Sequence, residues 1–324
     1  MAFGYHGIVP PRDIQYDAEL GWTLTPNTRE WQSAIDYGVW ATIDADGLRI
    51  DDERDERASI NQSAPTLLVL GDSYAFGYGV PAHAMIASAL ERELARAPAP
   101  YRVRTAGVPG YSTDQELLRW RRLAATIRPA RVLLLFHQSD LVDNTRSSVV
   151  MGPERYFKPR FEVRDGRVSL TGVPVPDKER LAPAGVMEPA KAWFRPLATY
   201  ALVQSNLLRF NAPAADAGVQ AAAPPQTDEV TSALLAELAR EVRAAGADLT
   251  VALVPASPAV TGRIAAICNA HGLPLIDLAP ALAGMPDTIL PFDHHWNAQG
   301  HAVAAREIAA RLSARSGTEP ARDP

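Results

Sequence analysis

The sequence predicts an α/β protein: a three-layer α/β/α sandwich built on a parallel sheet of about five strands. Short apolar runs, typical of strands buried on both faces, alternate along the chain with longer helix-like stretches. Strands that alternate with helices form a parallel sheet with helices packed on both faces. The length of 324 residues is sufficient for one such core with additional segments around it.

Five apolar runs are predicted as the strands of this sheet. They are Thr66–Leu70, Tyr101–Thr105, Arg131–Phe136, Leu249–Val254 and Leu275–Leu278. Helices are expected between and after them, at about Ala84–Arg96, Asp114–Ile127, 227–245, 258–271 and Ala298–Arg315. Pro98 and Gly246 mark the ends of two of these helices, since proline cannot continue a helix and glycine often terminates one.

Residues 1–62 precede the regular alternation and are predicted to form an N-terminal leader. Within it, Val39–Ile43 and Leu48–Ile50 flank a turn that contains Gly47, which is the pattern of a β-hairpin. Asp51–Arg57 is dense in charged residues and is expected to be a solvated linker. Residues 63–324 are then expected to form the core domain.

The core domain is interrupted by a predicted insert at residues 145–226, where the alternation of strands and helices stops. Phe161–Leu170 contains Asp165 and Gly166 between two alternating segments, which is a strong hairpin signal. A helix is expected at Pro196–Phe210. The stretch 212–226 is rich in alanine and proline and is expected to be a linker.

Composition argues against several classes of function. The formal net charge is −5 and the pI is near 5.8, so a nucleic-acid partner is not expected. Cys268 is the single cysteine and is expected to be a small buried hydrophobe, which leaves no disulfide and no cysteine-based zinc site. Because no run of about 18 apolar residues occurs, no membrane span is expected. The first residues lack the features of a signal peptide, so the predicted location is the cytoplasm, or the periplasm or extracellular space if an export segment has been removed.

Candidate functional residues follow the predicted strands, at the sheet edge where the ligands of parallel sheets gather. The loops concerned are 71–73, 107–110 and 137–140, together with 291–297 before the last helix. Ser73 is a candidate nucleophile, and a serine needs a base, usually histidine, to become one. His295 is the candidate base, and Asp293 is the carboxylate that orients it. The backbone N–H groups of Ser73 and Gly110 are candidate donors to an oxyanion, because Ser73 begins a helix-like segment and glycine permits a close approach.

Three blocks in this order resemble the SGNH (GDSL-type) hydrolase superfamily. Gly71–Val80 resembles its first block, Ala106–Gln115 its second, and Asp293–His301, which reads D-x-H-W-N-x-x-G-H, its last block in one bacterial branch. The resemblance covers about residues 66–140 and 248–312. Leu20–Trp22 with Pro26 and Asn27 resembles, more loosely, the leaders that precede this core in one bacterial branch.

The resemblance implies a flavodoxin-like sheet and ester or acyl chemistry carried by residues 63–324 as an SGNH-type hydrolase domain. It assigns the catalytic set to Ser73, His295 and Asp293, and the oxyanion glycine to Gly110. The set works without a cofactor, so none is expected.

The third block departs from the family pattern. The superfamily has an asparagine there whose side-chain amide donates to the oxyanion, and Ser139 stands at that position. Loss of one good donor typically lowers the rate by about 10²- to 10³-fold. Three explanations stay open. Ser139 or Gln138 substitutes as the donor, Asn144 reaches in from the following loop, or the protein performs acyl transfer or binding instead of ordinary hydrolysis.

Several polar residues near the candidate site have competing interpretations. Asp72 is expected to brace the turn, because short aspartate side chains bond to nearby backbone. His295 is preferred to His294 as the base because the spacing Asp293-x-His295 matches the family, and His301 is expected to pack against or cap the last helix. A metal site built from this cluster is disfavoured, since adjacent residues point in different directions and the first block would stay unexplained.

Other residues near the strand ends are candidates for substrate contact. They are His137, Gln138, Asn144 and Trp296, with a hydrogen-bonded structural role as the alternative for His137 and a wall of the site as the role of Trp296. A phosphate-binding loop at Gly71–Gly79 is disfavoured, since no Gly-Lys-Ser/Thr follows the glycines.

The sequence therefore predicts a serine esterase that removes a short acyl group, such as acetyl, from a carbohydrate or small metabolite through an acyl-enzyme on Ser73. One alternative is an acyltransferase that uses the same residues with an acceptor other than water. The second is a degenerate member that binds its ligand without turnover. No metal is expected, and the sequence carries no prediction of the oligomeric state.

Overall fold

The computed structural model describes residues 14–52, 63–96, 100–181 and 225–316. The strands are β1 Ile14–Asp17, β2 Gly21–Leu24, β3 Thr28–Ser33, β4 Gly38–Ile43, β5 Arg49–Ile50, β6 Thr66–Gly71, β7 Arg102–Thr105, β8 Arg131–Phe136, β9 Ser148–Met151, β10 Glu154–Phe157, β11 Arg160–Arg164, β12 Arg167–Thr171, β13 Glu179–Arg180, β14 Asp248–Leu253 and β15 Leu275–Asp277. The helices are α1 Ser73–Phe76, α2 Ile86–Leu94, α3 Thr113–Ile127, α4 Asp140–Asp143, α5 Pro225–Ala244, α6 Pro258–Ala270, α7 Ala279–Ala283 and α8 Ala298–Ser316.

The main sheet has eight strands in the order β15-β14-β8-β6-β7-β5-β4-β3. The first five of these are parallel to one another. Numbered by their succession along the chain, they lie in the order 2-1-3-4-5, which is the flavodoxin-like order. The predicted strand number and sheet type are therefore confirmed.

Helices cover both faces of the sheet because the central strands are apolar on both sides. In β6, Leu68 and Leu70 join a core cluster that includes residues of α3, α5 and α6. Leu67 and Val69 point to the opposite face and join a second cluster with residues of α2 and α8. The period of two along a strand thus produces the three predicted layers.

The leader extends the main sheet on one side. The predicted hairpin is confirmed: β4 pairs antiparallel with β5, with Thr42 opposite Ile50. β5 in turn pairs with β7 through Arg49 and Thr105. The buried guanidinium of Arg49 donates to the carbonyl oxygen of Val80 at 2.7 Å, which ties the leader to the loop that follows α1. Beyond residue 52, the predicted charged linker lies outside the described residues.

The insert begins with small antiparallel sheets that pack beside the core. β9, β10 and β13 form one sheet, and β11 and β12 form the predicted hairpin. Its turn residues Asp165 and Gly166 have φ values of 52° and 71°, as a two-residue turn with an Asp-Gly sequence requires. The predicted helix at Pro196–Phe210 and most of the following linker lie outside the described residues. Of the helices that the structure describes, none is long and apolar enough to cross a bilayer.

Candidate active site

Ser73 lies in the turn that follows the central strand β6. Gly71, the last residue of β6, has φ = 147°, and a Cβ atom there would lie 2.9 Å from the carbonyl oxygen of Leu135, so glycine is required. Asp72 braces the turn as predicted, because its Oδ1 accepts the backbone N–H of Tyr74 at 2.9 Å. The chain turns sharply and presents Ser73, 3% exposed, at the carboxyl edge of the sheet.

His295 and Asp293 lie in the loop before α8 and meet Ser73 across this edge. His295 Nε2 lies 2.8 Å from Ser73 Oγ. His295 Nδ1 is hydrogen-bonded to the carboxylate of Asp293. The carboxylate holds the proton on Nδ1, which leaves Nε2 free to accept the proton of the serine hydroxyl. The three residues predicted as a catalytic set are thus in mutual contact.

A tight turn separates the directions of the two adjacent histidines. His294 has φ = 70° and is exposed. Its backbone N–H donates to the carbonyl oxygen of Leu290 at 3.0 Å, and the Leu290 N–H donates to the carbonyl oxygen of His295 at 2.8 Å. This turn directs the ring of His295 into the protein, towards Ser73, while His294 faces solvent.

His301 packs inside the protein, as predicted for a residue of the last helix. Its ring lies edge-on to Trp296 with a centroid distance of 5.5 Å, and burial lowers its pKa to about 3. The imidazole is therefore neutral at physiological pH. Within the described ranges, no group of three or more histidine, cysteine, aspartate or glutamate residues is arranged to hold a metal ion.

Aromatic rings enclose the imidazole of His295. The ring centroids of Tyr74 and Tyr78 lie 5.1 and 5.0 Å from it. Trp296 packs edge-on against Tyr74 at 4.8 Å and is itself only 3% exposed. Trp296 thus contacts Tyr74, the ring beside His295, and its role as a wall of the site stays a prediction.

The loop that carries Gly110 is held against the end of β6. The backbone N–H of Val108 donates to the carbonyl oxygen of Gly71 at 3.1 Å, two residues before Ser73. Gly110 has φ = 81°. In the part of the chain that the structure describes, no acceptor engages the backbone N–H of Ser73 or of Gly110. Both groups are therefore available as donors.

Two residues to which the sequence analysis gave no role in the site brace this loop. The indole N–H of Trp22, in the leader, donates to the carbonyl oxygen of Pro109 at 3.1 Å. Met151, in the insert, fills the space beside Gly110, where a Cβ atom would lie 2.8 Å from its Sδ. Both side chains are fully buried. The oxyanion candidate is thus supported by the leader on one side and by the insert on the other.

The third block places Ser139 and His137 in contact with each other. Ser139 Oγ lies 2.9 Å from His137 Nδ1, and the ring of His137 stacks on Tyr74 at 5.3 Å. Burial lowers the pKa of His137 to about 4, with a further contribution from the charge of His295, so this imidazole is neutral near pH 7. His137 therefore orients the Ser139 hydroxyl. Gln138 is half-buried, and its Oε1 has no hydrogen-bond partner among the described residues.

Asn144 does not reach the cleft, and this prediction is wrong. Its Oδ1 accepts the backbone N–H of Asp114 at 3.2 Å, and its Nδ2 donates to Thr231 Oγ1 at 3.0 Å. The side chain is fully buried and joins α3 to α5. An amide committed to helix packing is not accessible to a substrate, so Asn144 does not replace the missing donor of the third block.

A cluster of buried carboxyl groups lies beneath the site. Burial raises the pKa of Asp72 to about 6 and raises those of Glu116 and Asp140 well above their ordinary values. Asp114 is compensated by the fully buried Lys158, whose Nζ lies 2.8 Å from Asp114 Oδ1. Glu116 lacks such a partner within the described residues, and both of its oxygen atoms are buried without a hydrogen bond. Protonation is the state that this environment favours for Glu116.

Neither a protein-family model nor a curated protein sequence matches the chain. Among solved structures, it is similar to TesA (16% identity, TM-score 0.45, covering 76% of this chain and 97% of that one). It is also similar to the psychrotrophic esterase EstA from Pseudoalteromonas sp. (13% identity, TM-score 0.45, covering 78% of this chain and 99% of that one). A lipase/acylhydrolase from Enterococcus faecalis is similar as well (15% identity, TM-score 0.42, covering 77% of this chain and 96% of that one). At these identities and scores the similarity assigns neither a family nor an activity to this chain.

Proposed function

We propose that the protein is a serine acyl hydrolase of the SGNH (GDSL-type) superfamily. The observation that carries the proposal is the contact of 2.8 Å between Ser73 Oγ and His295 Nε2, with Asp293 on the other ring nitrogen. Ser73 and His295 are 222 residues apart, at the ends of two different strand–helix units. A serine, a histidine and a carboxylate joined in this order form the functional unit of nucleophilic acyl transfer on many unrelated folds.

In the proposed reaction, Ser73 Oγ attacks the acyl carbonyl carbon while its proton passes to His295 Nε2. The carbonyl π-electrons move onto the oxygen, and a tetrahedral intermediate forms. Collapse of this intermediate breaks the ester C–O bond, and His295 gives its proton to the departing alcohol oxygen. Water then attacks the acyl carbonyl carbon while its proton passes to His295. Collapse of this second intermediate breaks the bond to Ser73 Oγ, which takes the proton from His295, and the acid is released. Asp293 stabilises the imidazolium in both halves of the cycle.

The developing oxyanion is stabilised by the backbone N–H groups of Ser73 and Gly110 in this proposal. Support comes from the position of the Gly110 loop beside the end of β6 and from the absence of another acceptor for either group among the described residues. Ser139 is the third donor in the tautomer in which His137 Nδ1 carries the proton and donates it to Ser139 Oγ, because the hydroxyl proton is then free for the oxyanion. The hydroxyl supplies this single proton, whereas an asparagine amide supplies two in a fixed plane.

A short acyl group, such as acetyl, on a carbohydrate or small metabolite is the proposed substrate. Ser73 is nearly buried, and the fully buried side chains of Trp22 and Met151 occupy the space around Gly110. On this side of the oxyanion loop, the space beside Gly110 is filled by protein side chains, which favours a short acyl group. No cofactor takes part in the proposed reaction.

Acyl transfer to an acceptor other than water is the second candidate function. The 3% exposure of Ser73 favours it, because an acyl-serine shielded from solvent survives until a bound acceptor arrives. The same residues and the same acyl-enzyme serve both reactions, and only the second step differs.

The test is covalent labelling with a fluorophosphonate, read by the mass of the intact protein, with Ser73→Ala as the control. One adduct on the wild-type protein and none on the variant is the expected result. If the wild-type protein is not labelled, and the wild-type protein and Ser73→Ala bind the ligand equally well, the result would instead indicate the non-catalytic alternative. Turnover of an acetyl ester with and without sugar acceptors then separates hydrolysis from transfer.

A further inference from the structure

The leader contacts the catalytic loop directly, through a residue that no motif includes. β3 and β4 are joined by a turn in which the N–H of Ala34 donates to the carbonyl oxygen of Tyr37 at 3.0 Å. This turn carries Asp36. One of its carboxylate oxygens, Oδ2, accepts the backbone N–H of Phe292 at 2.9 Å and that of Asp293 at 3.2 Å.

We propose that Asp36 is a positioning residue for Asp293, so that the leader completes the catalytic site. Its meaning for catalysis rests on the function proposed above. Asp36 acts on the backbone: it fixes the peptide units on both sides of Phe292, and these determine where the carboxylate of Asp293 stands relative to His295.

The catalytic loop needs such an external support. Between α7, which ends at Ala283, and α8, the described chain has no regular strand or helix, only an isolated bridge between Ile289 and Trp296. Its own backbone hydrogen bonds, such as those of Leu290 with His294 and His295, lie on either side of the N–H groups of Phe292 and Asp293. Hydrogen bonds donated to a charged acceptor are shorter and about twice as strong as those between neutral groups. Two such bonds to consecutive N–H groups remove most of the rotational freedom of the loop at Asp293.

The other oxygen of Asp36 supports a positioning role over a purely stabilising one. Oδ1 is buried and has no hydrogen-bond partner among the described residues. A buried carboxylate oxygen without a hydrogen-bond partner destabilises the folded protein, so it lowers the free energy of unfolding. Both hydrogen bonds that Oδ2 accepts come from the catalytic loop. The Asp36 carboxylate therefore does little to stabilise its own turn, but it holds the catalytic loop in place.

Neighbouring residues place Asp36 close to the reacting groups. Tyr37, next in the chain, packs edge-on against Tyr78 at 5.7 Å, and Tyr78 lies against His295. Burial raises the pKa of Tyr37, and the charges of Asp293 and Asp36 both add to this rise. The turn therefore lies close to the Asp293–His295 pair.

Three variants at position 36 separate geometry from charge. Asp36→Asn keeps an oxygen acceptor at the same place without the charge. Asp36→Glu keeps the charge and displaces the acceptor by one methylene. Asp36→Ala removes both. Asp44→Ala is the matched control, because Asp44 in the next turn of the leader also accepts two backbone N–H groups, those of Asp46 and Leu48, away from the catalytic loop.

Two readouts are measured on all variants. The first is steady-state hydrolysis of an acetyl ester. Misplacement of a catalytic group by about 1 Å typically costs about 10²-fold in rate, so Asp36→Ala and Asp36→Glu are expected to lose about 10- to 100-fold in kcat with KM little changed. Asp36→Asn is expected to keep most of the activity. Asp44→Ala should lose thermal stability and keep kcat.

The second readout does not depend on turnover. The proton between His295 Nδ1 and Asp293 gives a far-downfield ¹H NMR signal, identified by its loss in His295→Ala. It should persist in Asp36→Asn and Asp44→Ala and be lost or shifted in Asp36→Ala and Asp36→Glu. If the signal is unchanged in all variants, or Asp36→Asn loses activity while Asp36→Glu keeps it, the positioning role is overturned. Failure of the proposed function would appear differently, as a wild-type protein that shows the signal but no labelling of Ser73.

Discussion

The backbone N–H of Val108 donates to the carbonyl oxygen of Gly71 at 3.1 Å. This bond continues the parallel pairing of β6 and β7 past the last residue of β7, into the loops that follow both strands. It holds the turn of Ser73 and the loop of Gly110 in one fixed relation. The candidate nucleophile and the candidate oxyanion donor are therefore aligned by the sheet itself.

Gly110→Ala is expected to lower both stability and activity. Gly110 has φ = 81°, where alanine costs about 1–2 kcal/mol, and the new Cβ would lie 2.8 Å from Met151 Sδ. Relief of this contact moves the Gly110 N–H away from the oxyanion, so kcat should fall. The measurement is kcat per folded molecule, with stability from urea unfolding.

Gly166→Ala is the control for Gly110→Ala. Gly166 has φ = 71° in the β11–β12 turn, and a Cβ there meets nothing within 4 Å. Alanine at position 166 has the same unfavourable positive φ as at position 110 but no close contact with another side chain, so kcat should be unchanged. Equal kcat in the two variants would refute a catalytic role for the Gly110 loop.

Trp22→Phe tests the brace between the leader and the Gly110 loop. Phenylalanine keeps most of the bulk but leaves the carbonyl of Pro109 without its donor, at a cost of about 1–3 kcal/mol in the free energy of unfolding. Because the loop loosens, kcat should fall with KM little changed. Trp120→Phe is the control: this buried indole on α3 makes no hydrogen bond within the described residues. An equal fall in kcat for both variants would show that the effect is one of core packing alone.

Much of the core and of the candidate site follows from local sequence pattern. The strand at Arg131–Phe136 and the beginning of the helix at Pro258 were predicted from apolar runs and helix signals, and both are found at those residues. Ser73, His295 and Asp293 meet because strand ends in a parallel sheet share one edge, which a pattern of loops predicts without coordinates.

The supports of the site could not be predicted in this way. Trp22, Met151 and Asp36 reach the site because the leader and the insert fold back over the core, and no local signal encodes such a contact. The wrong prediction for Asn144 has the same origin. Because Asn144 lies in the loop next to the third block, its side chain was predicted to reach the cleft. In the structure, its hydrogen bonds to α3 and α5 hold the side chain in the protein interior.

Loss of a full oxyanion donor lowers kcat by about 10²- to 10³-fold, and Ser139→Ala is expected to lower kcat by less than this. The Ser139 hydroxyl is shared with His137 Nδ1 at 2.9 Å, so its contribution to the oxyanion is partial. Ser139→Asn, which restores the amide of the superfamily pattern, should raise kcat above that of Ser139→Ala. The measurement is pre-steady-state acylation with an activated acetyl ester. Identical acylation rates in the wild-type protein and both variants would remove Ser139 from the site.

Glu116→Gln is expected to stabilise the protein at neutral and alkaline pH. Burial raises the pKa of Glu116 above its ordinary value of 4.5, with the charges of Asp72 and Asp114 adding to the rise and that of Lys158 opposing it. A carboxyl whose folded-state pKa is raised favours folding fully below its unfolded-state pKa, and this contribution is lost as pH rises through the folded-state pKa. The wild-type free energy of unfolding should therefore fall relative to that of Glu116→Gln as pH rises above the unfolded-state pKa of 4.5.

Urea unfolding at several pH values measures this difference. His137 and His301, whose pKa values are lowered to about 4 and about 3, act in the opposite direction, since their contribution is lost on acidification below the unfolded-state value of 6.5. Both histidines are present in the wild-type protein and in the variant, so their effect cancels in the comparison. Glu229→Gln, at an exposed position on α5, is the control substitution of the same chemistry. A Glu116→Gln curve parallel to that of the wild-type protein would mean that Glu116 titrates in the folded protein as it does in the unfolded chain.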